Sequence, residues 1–389
     1  MKLKPMIVAG VMSGTSADGI DVAVVRIAPV KGRLKLTLLA HDGLRYPAAL
    51  RRAVLAAMNA KATSTAELAR LNWRLGIAYA EAVQAAVARH ELKIDLIGCH
   101  GQTLYHQARA ASYAGKSFAC TWQAGESAVI AAATAVPVVS NFRPADILMG
   151  GQGAPLVPML DHVVFADLKR ARVLQNIGGI ANLTAIRAGG TIDEDAAFDT
   201  GPGNMVIDAL AQKLFGKAYD RNGEIAAKGR VLEAVLERMM RDRYFALMPP
   251  RTTGREQFGR EYAAKFLAAC RRVSRRPEDA LATATALTAE SIARSFERFV
   301  LPSIQGAPID YIVSGGGARN AALMKMLAAR LEPLGCTPTT SERFGMPAEA
   351  KEAAAFALLS WMTWHGLPGN VPAATGAKKP AILGQITHA

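Results

Sequence analysis

The stretch MIVAGVMSGTSADGIDVAVVRI, residues 6–27, decides the architecture. Two short apolar runs, Met6–Val11 and Ile20–Ile27, flank a turn of small hydrogen-bonding residues, Ser13-Gly14-Thr15-Ser16-Ala17-Asp18-Gly19. β-Branched residues on both sides of a glycine-rich turn predict a β-hairpin. The pattern returns at RVLQNIGGIANLTAIR, residues 172–187, where Gly178-Gly179-Ile180-Ala181-Asn182 is the turn and Leu183–Arg187 the return strand. Two such hairpins far apart in one chain predict two related halves.

Outward from these hairpins the chain alternates strands, loops and helices. Ser64 and Glu67 have the spacing of a capping box and open a helix to about Arg89, with Leu68, Leu71, Leu75 and Tyr79 as its buried stripe. Short strands follow at Asp95–Cys99 and Val136–Ser140, ending in His100-Gly101-Gln102-Thr103 and near Asn141 and Arg143. The second half adds Asp199-Thr200-Gly201-Pro202-Gly203-Asn204 before a helix from Met205, a long helix at Pro277–Arg298 and a strand at Asp310–Ser314. The triglycine Gly315–Gly317 then precedes a helix over Asn320–Leu331, and a helix near Ala350–Trp364 closes the core. At 389 residues the chain is long enough for two cores. The expected fold class is α/β, with two mixed domains around a cleft.

Composition narrows the function classes. Hydrophobic residues make up 51% and charged residues 20%, a balance that belongs to a packed globular protein. The net charge of +14 comes from small scattered basic groups with few aromatics between them. It therefore reads as a solvated basic face, with some arginines kept for phosphates or carboxylates, and nucleic acid is not the expected partner. The four cysteines have no metal-ligand spacing and suit a reduced compartment. The apolar run Met6–Met12 is too short for a signal-peptide core, and Ala128–Val139 is broken by Thr134 and Pro137, so a cytoplasmic, membrane-free protein is expected.

Phosphate binding needs backbone N–H donors that small residues leave accessible. Three segments at strand ends offer this: Gly14–Gly19, Gly178–Asn182 and Gly315–Gly317. Each alone fits an ordinary turn; together they favour a nucleotide clamp. The triglycine, with Asn320 capping the next helix, leaves a flat surface for a purine, or else a close strand–helix packing turn. The P-loop, dinucleotide and protein-kinase motifs are absent. Asp199, fixed by the stiff turn after it, is the candidate general base, with capping of the Met205 helix as the structural alternative. Asp18 and Asp21 flank the first loop, where a carboxylate can orient hydrated Mg²⁺, although Asp18 also suits a plain turn. His100, Gln123 and Arg143 are candidates for substrate recognition, and buried network residues would look the same.

The chain resembles the anhydro-N-acetylmuramic acid kinase family across nearly its whole length. The segments that carry the resemblance are GVMSGTSADGID (10–21), CHGQT (99–103), TWQAGE (121–126), NFRPAD (141–146), GGQGAPLVP (150–158), NIGGIANLT (176–184), FDTGPGN (198–204), SGGGARN (314–320) and EAAAFA (352–357). The resemblance implies a two-domain actin/hexokinase-like fold with ribonuclease H-like halves and ATP in the interdomain cleft. The expected division is 1–145 plus 365–389 for the domain with the first phosphate loop and the sugar contacts, and 146–364 for the nucleotide domain. It further implies that Gly14, Thr15, Ser16, Ala17, Asp18, Gly19, Ile20 and Asp21 hold phosphates. Gly178, Gly179 and Asn182 add to the nucleotide site, and Gly315, Gly316, Gly317 and Asn320 lie by the nucleoside. Asp199 would be the catalytic acid/base, Glu352 would hold the sugar, and Arg143 is the expected partner of its lactyl carboxylate. ATP with Mg²⁺ and a homodimer are implied as well. Ala17, Leu148-Met149, Lys351 and Asp161-His162 depart from the expected family pattern. The competing readings are a kinase for another amino sugar, a phosphohydrolase on the same scaffold and a nucleotide-switched binding protein.

Overall fold

A computed structural model describes residues 3–14, 17–30, 32–58, 60–304 and 306–389. The chain folds as two compact units: residues 1–164 with 345–389, and residues 165–344.

The sheet of the first unit grows from the opening hairpin. β1 (Met6–Ser13) pairs antiparallel with β2 (Gly19–Val30), which pairs antiparallel with β3 (Arg33–Arg45). β4 (Leu96–Tyr113) lies parallel to β1 and carries the antiparallel β5 (Lys116–Ala124). β6 (Val138–Ser140) continues the sheet parallel to β4. Val8, Ala9 and Val11 are fully buried, as a central strand covered on both faces must be.

One cover is the helix Thr65–Arg89, whose Ser64 Oγ accepts from the Glu67 N–H at 3.1 Å. Leu71, Leu75, Tyr79, Val83 and Ala86 form its buried stripe. The other cover is the helix Lys351–Trp364, and two glycines set how closely it approaches. Gly10 and Gly98 are register partners on β1 and β4. A Cβ at Gly10 would lie 1.8 Å from the Ala353 carbonyl oxygen, and one at Gly98 would lie 2.0 Å from Ser360 Oγ. The pair makes a groove into which the helix backbone sinks.

The second unit repeats this plan. β7 (Ala171–Ile177), β8 (Ile180–Ile186) and β9 (Ala196–Pro202) form an antiparallel meander. β10 (Ile309–Ser314) runs parallel to β7, and β11 (Pro338–Thr340) runs parallel to β10. The order β9-β8-β7-β10-β11 matches β3-β2-β1-β4-β6, with β12 (Gln385–Thr387) added antiparallel at the β6 edge of the first sheet. The helix Pro277–Phe299 packs against β9 and the helix Ala321–Leu331.

Each half is thus a mixed α/β unit, as expected. The boundaries differ from the expected 145/146 and 364/365. Residues 146–164 and the helix Lys351–Trp364 cluster with the first unit, because that helix packs on β1, β2 and β4. Among the described residues, no helix is long and apolar enough to cross a membrane.

Candidate active site

Asp199 lies in β9, opposite Asn182 of β8, rather than in a free turn. The helix after it, Asn204–Phe215, has Gly203 at its N-cap and no side-chain cap, so the capping alternative for Asp199 falls away. What holds Asp199 is a buried arginine that the sequence alone does not reveal. Arg251 is 6% exposed, donates through Nε to the Asp199 main-chain oxygen at 3.0 Å, and its own carbonyl accepts the Asp199 N–H at 3.0 Å. Its other nitrogens donate to Leu247 O at 2.9 Å and Ser295 Oγ at 2.8 Å, and its guanidinium lies over the rings of Tyr244, Phe299 and Phe198.

Because Arg251 is spent on the main chain, no cation among the described residues is hydrogen-bonded to the Asp199 carboxylate. Its Oδ2 accepts one N–H, from Thr253 at 2.8 Å. Burial raises its pKa from 3.8 to about 6, against the Thr253 N–H and the charge of Arg251, with Glu256 adding to the rise. A carboxylate that titrates there can take a proton near neutral pH and give it up again.

The glycines of the second unit divide by their surroundings. A Cβ at Gly315 or Gly317 would press into Asn176 and Ile177 at 2.6 and 2.3 Å, so packing against the end of β7 accounts for both. Asn320 caps the next helix, its Oδ1 accepting from the Leu323 N–H at 3.0 Å. Gly316, Gly178 and Gly179 are different: a Cβ would meet nothing closer than 3.4 Å at any of them. The Gly178 and Gly179 carbonyls accept the Asn204 and Met205 N–H groups, which fixes the hairpin tip to the start of the helix. Beside Gly179 a cavity of about 1270 Å³ is lined by Arg238, Arg241, Arg255, Arg260, Lys265 and Arg272, with the carboxylates of Asp208, Asp242, Glu256 and Glu261 among them. Among the described residues none of these six cations is in an ion pair.

In the first unit, Thr15 and Ser16 lie outside the described residues, and the rest of the loop is well anchored. Ser13 Oγ bonds Tyr79 Oη at 2.7 Å, and Gln102 Nε2 donates to Gly14 O at 3.1 Å. Ala17 is fully buried at φ +52°, in the left-handed region. Gly19 is required, since a Cβ would lie 2.1 Å from Leu44 O. Ile20 points into the core, so only its backbone is available to a ligand. Asp18 is exposed and pairs with Arg51 at 3.1 Å, and Asp21 meets His41 Nε2 at 3.3 Å.

His100, Arg143 and Glu352 come together. His100 Nδ1 lies 2.7 Å from Gly101 O, and its Nε2 accepts from Arg143 Nε and Nη2 at 3.0 and 2.8 Å. With one nitrogen donating and the other accepting, the ring is neutral, and burial with the adjacent Arg143 charge pushes its pKa well down. Arg143 Nη1 donates to Gly153 O at 2.6 Å. Burial lowers its pKa to about 10, against the charges of Glu352 and Asp146. Glu352 is open to solvent yet crowded by protein, and desolvation raises its pKa despite Arg143.

The remaining motif residues fall into two groups. Asp146 is wholly buried and structural, accepting from the Gly153 N–H, Asn370 and Thr375 at 2.7–2.8 Å. Gln123 donates to Thr121 and Thr103, while its buried Oε1 has no hydrogen-bond partner among the described residues. A carbonyl in that state suits a donor brought by a ligand.

The sequence model of the family described as "Anhydro-N-acetylmuramic acid kinase" matches residues 6–389. A protein of that name from Bacillus cereus (strain AH187) is 42% identical over 386 residues, 98% of this chain and 99% of the relative. Another, from Bacillus anthracis (strain CDC 684 / NRRL 3495), has the same identity and coverage. Among solved structures, an activator of 2-hydroxyisocaproyl-CoA dehydratase from Clostridium difficile aligns with 92% of this chain and 94% of its own. Its TM-score is 0.42 at 12% identity, a remote likeness.

Proposed function

The chain belongs to the anhydro-N-acetylmuramic acid kinase family, and from that premise we propose how its residues divide the work. The protein is an ATP-dependent kinase acting on 1,6-anhydro-N-acetylmuramic acid in peptidoglycan recycling. The finer reading is that ring opening and phosphorylation are coupled. Asp199 takes a proton from water as the water oxygen bonds to C1. The C1–O6 bond breaks with its electron pair passing to O6. O6 bonds the γ-phosphorus of ATP, and the bond to the bridging oxygen breaks to release ADP. The product is N-acetylmuramic acid 6-phosphate.

The observation that carries this reading is the half-buried Asp199 carboxylate, with its pKa raised to about 6 and bonded through one backbone N–H. Arg143, oriented by the neutral His100 and by Gly153 O, suits the lactyl carboxylate. Glu352 and Gln123 suit the sugar's hydroxyl and amide groups. For the nucleotide, Gly178 and Gly179 have no packing reason to be glycine, and the unpaired cations beside Gly179 favour phosphates. Asp18 and Asp21 are the residues for Mg²⁺. Most ligands of such an ion would be phosphate oxygens and water. When bound, it would neutralise charge on the transferring group.

The repeated strand order supports placing both units in the ribonuclease H-like class of the actin/hexokinase architecture. A homodimer belongs to the same proposal, and sedimentation at micromolar concentration as a monomer would count against it. The deciding experiment is turnover of the anhydro sugar with ATP and Mg²⁺ in ¹⁸O-water, read by mass. Sugar 6-phosphate labelled once at C1 is the expected result. Unlabelled phosphorylated sugar would remove the coupled hydrolysis, and free phosphate with intact anhydro sugar would remove the transfer.

A further inference from the structure

The helix Lys351–Trp364 begins with a buried cation, where the helix dipole disfavours one. Lys351 is 7% exposed, and its Nζ lies 2.7 Å from Oδ1 of Asp161, which is 3% exposed and belongs to the helix Pro158–Phe165. Both positions depart from the expected family pattern, and in the fold they meet. A buried ion pair is a weak source of stability that a well-packed apolar pair commonly equals. A functional reason for it is therefore sought next door, at the solvent-open Glu352.

Resting on the reading that Glu352 holds the sugar, we propose that Lys351 and Asp161 are a positioning pair for Glu352. The pair ties the first helical turn to the helix Pro158–Phe165 and keeps a cation beside Glu352, so that this residue meets the sugar as a carboxylate. Two observations support it. The helix is seated from Ala353 onward by the contacts at Gly10 and Gly98, whereas its N-cap, Ala350, provides no side-chain cap for the turn that carries Glu352. The influences on Glu352 also oppose one another, with desolvation the largest and Lys351 the smallest. Desolvation and Asp21 of β2 favour its protonated form, while Arg143 and Lys351 favour the carboxylate. Behind these stand His41 on Asp21, His100 on Arg143 and Asp161 on Lys351. With Lys351 neutralised, the balance moves toward protonation and sugar binding fails at a higher pH.

The test is the dissociation constant of 1,6-anhydro-N-acetylmuramic acid, measured by calorimetry without nucleotide from acid to neutral pH. Lys351→Met with Asp161→Leu should fold with a near wild-type Tm. Its affinity should be weaker by about threefold or more at the acid end, with the loss beginning at higher pH. Lys351→Arg should keep the wild-type curve. Exchanging the charges (Asp161→Lys with Lys351→Asp) retains the pair but sets an anion beside Glu352, and should move the curve further. If the folded apolar variant, or the exchanged pair should the apolar one not fold, keeps the wild-type pH dependence, the proposal is overturned. Glu352→Gln separates the two ideas: unchanged affinity and pH dependence in that variant would sink the sugar-binding role of Glu352 itself.

Discussion

Replacing Asp199 by asparagine should remove activity and stabilise the protein at once. The folded carboxyl titrates near pH 6, against 3.8 when unburied. The folded state therefore binds this proton more tightly than the unfolded one. Stability from this group is greatest below the unfolded value and declines as pH rises through the folded value. The difference between 3.8 and about 6, at about 1.36 kcal/mol per pH unit, makes the ionised group cost about 3 kcal/mol above pH 6. Partial solvent access makes that an upper figure. The amide of the Asp199→Asn variant would keep an oxygen for the Thr253 N–H and carry no charge. Thermal unfolding of the ligand-free enzyme at pH 8 should show a Tm higher by roughly 5–10 °C in the variant, for a unit the size of 165–344. The gain should shrink as pH falls through 6 and vanish below the unfolded value. Turnover should fall by about 10²–10⁴. The wild type should lose kcat/KM about tenfold per pH unit below 6. A variant with equal or lower Tm at pH 8 would refute the claim that a desolvated charge is held at this position.

Arg143→Ala should weaken sugar binding by about 10- to 100-fold, the range for losing charge-assisted bonds to a carboxylate. Unchanged apparent affinity would remove Arg143 from the site. Gly10→Ala should lower Tm sharply or abolish soluble expression, because its Cβ would fall 1.8 Å from the Ala353 carbonyl oxygen; a Tm near wild type would show that the helix can lift off β1. Asp146→Ala should cost roughly 3 kcal/mol in denaturant unfolding, since three buried donors lose their acceptor. A cost near zero would mean that water replaces the carboxylate.

Residues 6–27 and 172–187 were legible because a period of two around a glycine turn depends on neighbours in sequence. The helix Thr65–Arg89 was legible for the same reason, through its cap and apolar stripe. β3 is not among the expected strands although RLKLTLLA alternates, and β5 carries no burial signal of a core strand, since its hairpin with β4 leaves Tyr105, Phe118 and Trp122 exposed. β9 resembled a turn because it ends in Gly-Pro, and Gly201 indeed sits at φ +147°. The helix Lys351–Trp364 is apolar nearly all round, so its sequence could not say which sheet it covers. Arg251 and the pair Lys351–Asp161 were beyond reach because each depends on residues that only the fold brings together.

The proton balance of the proposed reaction also bears on which carboxylate acts. Water gives up one proton as its oxygen joins C1, and O6 receives its electrons from the breaking C1–O6 bond, so it needs no deprotonation. One base suffices, and the two candidate carboxylates are not equivalent. Desolvation raises the proton affinity of Glu352 too, but there the side chain faces two cations, Arg143 and Lys351, that oppose the rise. Asp199 has its arginine on the main-chain oxygen and a single N–H on the carboxylate, so desolvation dominates and its basicity rises. By binding the peptide oxygen, Arg251 fixes the direction of the side chain without neutralising the carboxylate's appetite for a proton. That separation of positioning from charge compensation favours Asp199 over Glu352 as the base of the proposed reaction.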